Sequence, residues 1–333
     1  MKLYQSKILG TGAYLPKRIL NNKDLEAMVE TSDEWIMERS GIRERRIADT
    51  KNGEELTDLG KNAAEMAIQN AGIDRNTIDM ILFATLTQDQ PLPNAATTLQ
   101  SKLGITNNCA ALDVDAACSG YIYALTLANA LIQTGQMKTI LVVGGEVLSP
   151  LVNWKDRTTC ILFGDGVGAM VLSQAPEGDE SRILASHLAA DGAGKDLLYI
   201  KAGGTTTPVT EEIIPTGEQY IQMKGRDIFK LATRAMAENS RIVLEQAGLQ
   251  KPELDWLIPH QANIRIIETV AKFLEMDMNK VIVTIEKYGN NSSATIPIAF
   301  HEAVTDGRIK RGQTIMLAAF GAGITSGSMA IRY

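Results

Sequence analysis

Cysteine is scarce. The 333-residue chain holds three, at positions 109, 118 and 160, an odd count without metal-ligand spacing. That argues against a disulfide-stapled secreted scaffold and against a metal site, and predicts reduced thiols in a cytoplasmic protein. Long apolar runs are missing too: none reaches the roughly 18 residues that a membrane span needs. Met1-Lys2-Leu3-Tyr4 leads straight into a strand pattern, unlike a signal peptide. Positive charge is not in excess. The net charge of −6 speaks against nucleic acid or an anionic membrane as partner, though a local basic patch can still meet an acidic one. No Pro/Gly/Ser linker or low-complexity tract divides the chain.

What is present is a repeat. Ala71-Gly-Ile-Asp-Arg-Asn-Thr-Ile-Asp-Met-Ile-Leu82 lies over Ala247-Gly-Leu-Gln-Lys-Pro-Glu-Leu-Asp-Trp-Leu-Ile258 without a gap, at an offset of 247 − 71 = 176. Ser6–Leu9 over Ser181–Leu184 and Thr139–Gly144 near Thr314–Ala319 give 175, and Gly135 over Gly307 gives 172. Matches in the same order at nearly one offset argue for duplication. Each half alternates strands and helices, with glycine ending helices at Gly72 and Gly248 and buried apolar strands at 78–85 and 139–143. The reading is an α/β protein of two duplicated halves, 1–174 and 175–333, each with a sheet covered by helices. Apolar residues at 45% and charged residues at 22% suit a sizeable core.

Val114-Asp-Ala-Ala-Cys-Ser-Gly120 places one thiol, Cys118, among small residues at the start of a helix ending at Gly135. There the unsatisfied N–H groups and the dipole favour thiolate, the nucleophile, and small neighbours admit an acyl group. The plain alternative is a buried, inert cysteine, which is how Cys109 and Cys160 are read. Adding the local offset, 118 + 172 = 290, predicts that Asn290 occupies the equivalent helix start in the second half. The end of the strand at 78–85 maps likewise to Pro259-His260-Gln261. Cys118, His260 and Asn290 are therefore candidates for one cleft, with imidazole and amide donating to a developing oxyanion or enolate. A structural role is the alternative for His260, and the expectation for His187 and His301. Gly164–Gly168 and Gly321–Gly327 lack the spacing of nucleotide loops and read as tight turns. Arg226, Lys230 and Arg234 share one helix face, either solvated or turned to an acidic macromolecule.

Several motifs together carry a resemblance: Thr31-Ser-Asp-Glu-Trp-Ile36, Ser40-Gly-Ile-Arg-Glu-Arg-Arg46, Asp115-Ala-Ala-Cys-Ser-Gly120, Asp156-Arg157, Phe163-Gly-Asp-Gly166, Pro259-His-Gln-Ala-Asn263, Tyr288-Gly-Asn-Asn-Ser292 and Phe320-Gly-Ala-Gly323. They run nearly end to end. The sequence resembles the 3-oxoacyl-[acyl-carrier-protein] synthase III family of the thiolase superfamily. That implies a duplicated, five-layered αβαβα fold and a decarboxylative condensation of an acyl-CoA, acetyl-CoA in the housekeeping case, with malonyl-acyl-carrier protein. It implies Cys118 as the acylated nucleophile, His260 and Asn290 as the pair acting on the malonyl group, and backbone N–H groups of Cys118 and Ala322 as oxyanion hole. Phe320 would lie beside the nucleophile. Thr31, Trp35, Arg39, Arg157 and Asn263 would hold coenzyme A, with Trp35 and Arg157 around the adenine. Lys230 and Arg265, with Arg226 and Arg234, would dock the carrier protein. The resemblance implies a homodimer, and no cofactor beyond coenzyme A thioester as substrate.

Three positions depart from the family pattern. Leu92 stands where phenylalanine usually reaches into the partner's acyl pocket, Ser326 where tryptophan is common, and Asp115 where a small residue precedes the nucleophile loop. Asp115 is expected to face away. These changes leave a second reading open: a paralogue with a longer or branched primer, or one serving secondary metabolism. A degradative thiolase would need a second cysteine at the position of Asn290. A cysteine hydrolase shares Cys-His-Asn but needs neither the coenzyme A residues nor the repeat, and a thiol sensor would need a resolving cysteine.

Overall fold

The computed structural model describes residues 3–333; Met1 and Lys2 of the expected lead-in lie outside them. The first sheet is built from β1 (Ser6–Tyr14), β2 (Met80–Ala84), β3 (Ala110–Val114), β4 (Thr139–Glu146) and β5 (Gly166–Gln174), in the order β1-β5-β4-β2-β3. The second comprises β6 (Arg182–Ala190), β7 (Trp256–Pro259), β8 (Thr314–Gly321) and β9 (Thr325–Arg332), in the order β6-β9-β8-β7. The two orders match strand for strand. β2 runs parallel to β4 with Met80 opposite Ile140, and β7 parallel to β8 with Trp256 opposite Ile315. The counterpart of β3 has shrunk to one bridge, Leu257 with Val281.

Strands buried on both faces need helices on both sides. Their side chains alternate accordingly. Leu141 and Val143 of β4 face α1 (Leu56–Ala71) and α2 (Ala95–Lys102), whereas Ile140 and Val142 face inward. Inside, α3 (Gly120–Gln133) from the first half packs in one core with α6 (Thr295–Thr305) from the second. Met316, Ala318 and Phe320 of β8 face outward to α4 (Gly225–Ala247) and α5 (Ile264–Phe273). The layers thus run helix, sheet, helix, sheet, helix. Because the central layer draws on both halves, neither half closes its core alone.

One sequence expectation is displaced. Ala117 and Ser292 are both non-glycine residues in the left-handed region, at φ 45° and 50°. Each opens a 3₁₀ turn, Ala117–Ser119 and Ser292–Ala294, that runs into the central helix of its half. The matched strain fixes the offset at 292 − 117 = 175, which pairs Cys118 with Ser293. Asn290 sits three residues earlier. The offset falls to 172 only by Gly135 and Gly307, because α6 has 11 residues and α3 has 14.

Candidate active site

In α/β sheets, ligands gather beyond the carboxyl ends of parallel strands. Here three such ends meet. Cys118 follows β3, His260 follows β7, and Phe320 and Gly321 close β8; with Asn290 they line one cavity of about 640 Å³. That is a small-molecule volume, and Ile161, Leu162, Ile228, Phe229 and Met236 make most of its wall apolar. Cys109 and Cys160 do not line it, and His187 and His301 lie on β6 and α6. Among the described residues no cluster of three metal-binding side chains occurs.

Cys118 is 7% exposed, so its thiol is reached only through the cavity. Gly321 lets the β8 end approach it: a Cβ there would stand 2.8 Å from Cys118 N. Thr325 ties the same hairpin to the nucleophile loop, donating to Ala116 O at 2.9 Å while Ser119 Oγ donates to it at 2.8 Å. Ala322, between β8 and β9, is half-buried beside this junction. Burial pushes the Cys118 thiol from 9.0 up to about 11, although Ser292 and the loop's own N–H pull the other way. This corrects the expected lowering. A helix dipole is worth up to about 2 kcal/mol, or roughly 1.5 pKa units, and desolvation of a closed site can exceed that. The resting group is the thiol. Asp115 is exposed and faces out, its Oδ1 accepting from Ala117 N at 3.4 Å.

His260 is buried without a charged partner, and burial alone drives its pKa from 6.5 to about 3. The imidazole is neutral. Its Nδ1 lies 2.7 Å from Thr295 Oγ1, a hydroxyl that also lies 3.0 Å from Ser292 O. Thr295 has one proton for these two acceptors. When the proton goes to Nδ1, the imidazole carries its own on Nε2. The Asn290 amide is oriented the same way: Oδ1 accepts from Ser292 N at 2.9 Å, which leaves the NH₂ as its donor end.

At the cavity mouth stand Arg39, Arg226, Lys230 and Arg265, with Trp35 and Asn263. Arg234, one turn beyond Lys230, does not line it. Arg265 pairs loosely with Glu38 at 3.5 Å. The Trp35 ring carries the Arg157 guanidinium at 5.2 Å and that of Arg39 at 5.5 Å. A planar base between Trp35 and Arg157 needs roughly 7 Å, two van der Waals thicknesses, so exposed Arg157 must swing out from its bond to Glu30 O. Thr31 Oγ1 is buried with no hydrogen-bond partner. Asn263 instead uses its amide internally, capping α5 and donating to Arg39 O at 2.7 Å. Leu92 does not line the cavity and is 84% exposed.

Sequence reasoning missed Thr295, Thr325, Ser292 and Glu146. Each is a polar residue with a partner more than 30 positions away, so its role is not read from local sequence.

Comparison with known proteins bears on the family and the fold. Models of 3-oxoacyl-[acyl-carrier-protein (ACP)] synthase III and of its C-terminal part match residues 112–192 and 244–333. A relative in Methylococcus capsulatus, a beta-ketoacyl-[acyl-carrier-protein] synthase III, is 47% identical over 328 residues, covering 98% of this chain and 99% of its own. The solved 3-oxoacyl-[acyl-carrier-protein] synthase III of Aquifex aeolicus superposes with TM-score 0.90 at 45% identity, covering 98% of this chain and all of its own. The priming beta-ketosynthase of the R1128 polyketide pathway superposes equally well, TM-score 0.90, at 30% identity over 99% of this chain and 96% of its own.

Proposed function

The chain belongs to the 3-oxoacyl-[acyl-carrier-protein] synthase III family, and from that premise we propose how its own residues divide the reaction. The enzyme condenses an acyl-CoA primer with malonyl-acyl-carrier protein, releasing CoA and CO₂ and giving a 3-oxoacyl-carrier protein, the opening step of type II fatty acid synthesis. The observation that carries the residue assignment is one apolar cavity with Cys118, His260 and Asn290 at its depth and four cations at its mouth.

In the first half-reaction the Cys118 thiolate attacks the acyl-CoA carbonyl, and the N–H groups of Cys118 and Ala322 receive the oxyanion. In the second, malonyl-carrier protein enters. Neutral His260 and the Asn290 NH₂ donate to the malonyl thioester oxygen as CO₂ leaves, and the enolate attacks acyl-Cys118. A charged imidazole would pull harder, but the dry site disfavours it. Phe320 keeps the carboxylate in apolar surroundings that favour its loss. Trp35 and Arg157 open to take the adenine, and Thr31 supplies its unpartnered hydroxyl to the nucleotide. Arg39, Arg226, Lys230 and Arg265 first meet the phosphates and then the acidic carrier protein. No cofactor beyond the thioester substrates is assigned, and the free cysteines suit the cytoplasm.

We assign a homodimer as the working form. β3 is the outer edge of its sheet, with Leu112 45% exposed, and Leu92 is bare. A free edge and naked apolar side chains call for a partner.

Initial-rate kinetics test the two-stage reading: varying acyl-CoA at several malonyl-carrier concentrations should give parallel double-reciprocal lines, and Cys118→Ser should abolish turnover. Intersecting lines would mean a ternary complex and no acyl-enzyme.

A further inference from the structure

Glu146, the last residue of β4, is fully buried, and no cation lies within ion-pair distance of it among the described residues. A buried carboxylate without a countercharge is costly. Its surroundings are hydroxyls. Oε2 accepts from Thr87 Oγ1 at 2.6 Å, Thr85 Oγ1 at 3.1 Å and Leu86 N at 3.2 Å. Oε1 faces Ser292 Oγ and Ser293 Oγ, both at 3.3 Å.

The two oxygens are not alike. The Thr87 hydroxyl accepts from Val147 N, and that of Thr85 from Thr87 N, so the proton of each is free to point at Oε2. Ser293 has one proton for two acceptors, Oε1 at 3.3 Å and Ala84 O at 2.9 Å; when it donates to Ala84 O, its oxygen can accept from a protonated Oε1. Oε1 is therefore the place where an added proton sits with a partner. Ser292, the other neighbour of Oε1, sits in the turn Ser292–Ala294 that packs against the Cys118 turn Ala117–Ser119, and its hydroxyl favours the Cys118 thiolate. Its left-handed backbone, φ 50°, holds it in the turn between the two. Strain of this kind persists where the surroundings over-determine it.

We propose that Glu146 accepts the proton of Cys118 through the Ser292 hydroxyl as acylation begins. The S–H bond breaks as its proton passes to Ser292 Oγ. The Ser292 proton moves to Glu146 Oε1, leaving thiolate and a neutral carboxylic acid. The net charge is −1 before and after, so the dry site never holds two anions. As the coenzyme A thiolate departs, the same proton returns along the path to it, and Glu146 is a carboxylate again. Burial raises the Glu146 pKa from 4.5 to about 7, which suits exchange near neutrality. Other titratable groups near the path are His260, neutral in its pocket; Tyr121 on α3, whose buried phenol is pushed well up; and Asp115, which is exposed. Glu146 does not touch substrate; it is a positioning residue that holds a proton.

This rests on Cys118 as the acylated residue, and the test separates the two. Single-turnover acylation by acetyl-CoA is followed by mass, across pH, in the wild type, Glu146→Gln, Glu146→Asp and Ser292→Ala. In the wild type, acylation should rise as Glu146 loses its proton near pH 7 and then level. Glu146→Gln and Ser292→Ala should be slower at neutral pH by at least about ten-fold, climb with hydroxide throughout, and approach the wild type in alkali. Glu146→Asp should keep part of the rate and the levelling profile. Plain electrostatics predicts the opposite sign, since removing a nearby anion eases thiolate formation. Glu146→Gln at wild-type rate or faster, or a loss that keeps the wild-type profile, overturns the relay. Should Glu146→Gln not fold, Ser292→Ala, which keeps the carboxylate, decides alone. A wild type that takes no acyl group at Cys118 overturns the parent reading instead.

Discussion

At the scale of single residues, burial dominates the chemistry. It keeps His260 neutral and the Cys118 proton in place, so the site works by hydrogen bonds that await the substrate rather than by standing charges. Asn290 tests this division of labour. Asn290→Ala should leave acylation of Cys118 within a few-fold of normal and slow malonyl decarboxylation about a hundred-fold or more, measured as acyl-enzyme mass and CO₂ release in separate half-reactions. Equal loss in both would remove Asn290 from its role. Cys118 was legible in the sequence because small neighbours and a helix start are local signals. Glu146 and Thr295 were not, because their meaning lies in contacts with Ser292 and His260, 146 and 35 residues away. The expected thiolate failed for a related reason: dipole direction can be read from a helix start, while the depth of burial cannot.

At the scale of elements, α4 is the proposed link between the site and the carrier protein. Gly225–Ala247 turns Ala232 and Met236 to the core and Arg226 and Lys230 to the cavity mouth, the 3.6-residue periodicity sorting the two faces. Lys230→Glu should raise the KM for malonyl-carrier protein roughly ten-fold, through slower encounter, while acylation by acyl-CoA stays within about two-fold. A steady-state comparison of the two half-reactions decides it; no change in KM would return Lys230 to a solvated face. The helices also show where the repeat misleads. A three-residue difference in length between α3 and α6 lies inside the elements, so matching their C-terminal glycines shifted their starts and paired Cys118 with Asn290 instead of Ser293. Strand offsets of 175 and 176 survived because parallel register tolerates no slip.

For the whole molecule, duplication explains why the site lies where it does. Two similar sheets face each other across α3 and α6, and the carboxyl ends of their parallel strands β3, β7 and β8 come to one place. The alternation of strands and helices announced the layers, and the repeat announced the pairing of sheets. The repeat nominated Cys118, His260 and Asn290 for one cleft, and the motifs pointed to the other cavity residues. The central claim is that this shared junction stores an acyl group on Cys118 between two substrates. Its most direct measurement is the mass of the Cys118 peptide after incubation with a panel of straight and branched acyl-CoAs, before and after malonyl-carrier protein is added. The account predicts one acyl adduct, on Cys118 alone, stable until malonyl-carrier protein removes it as a 3-oxoacyl product. An adduct on another residue, or one lost to water without malonyl-carrier protein, would contradict it.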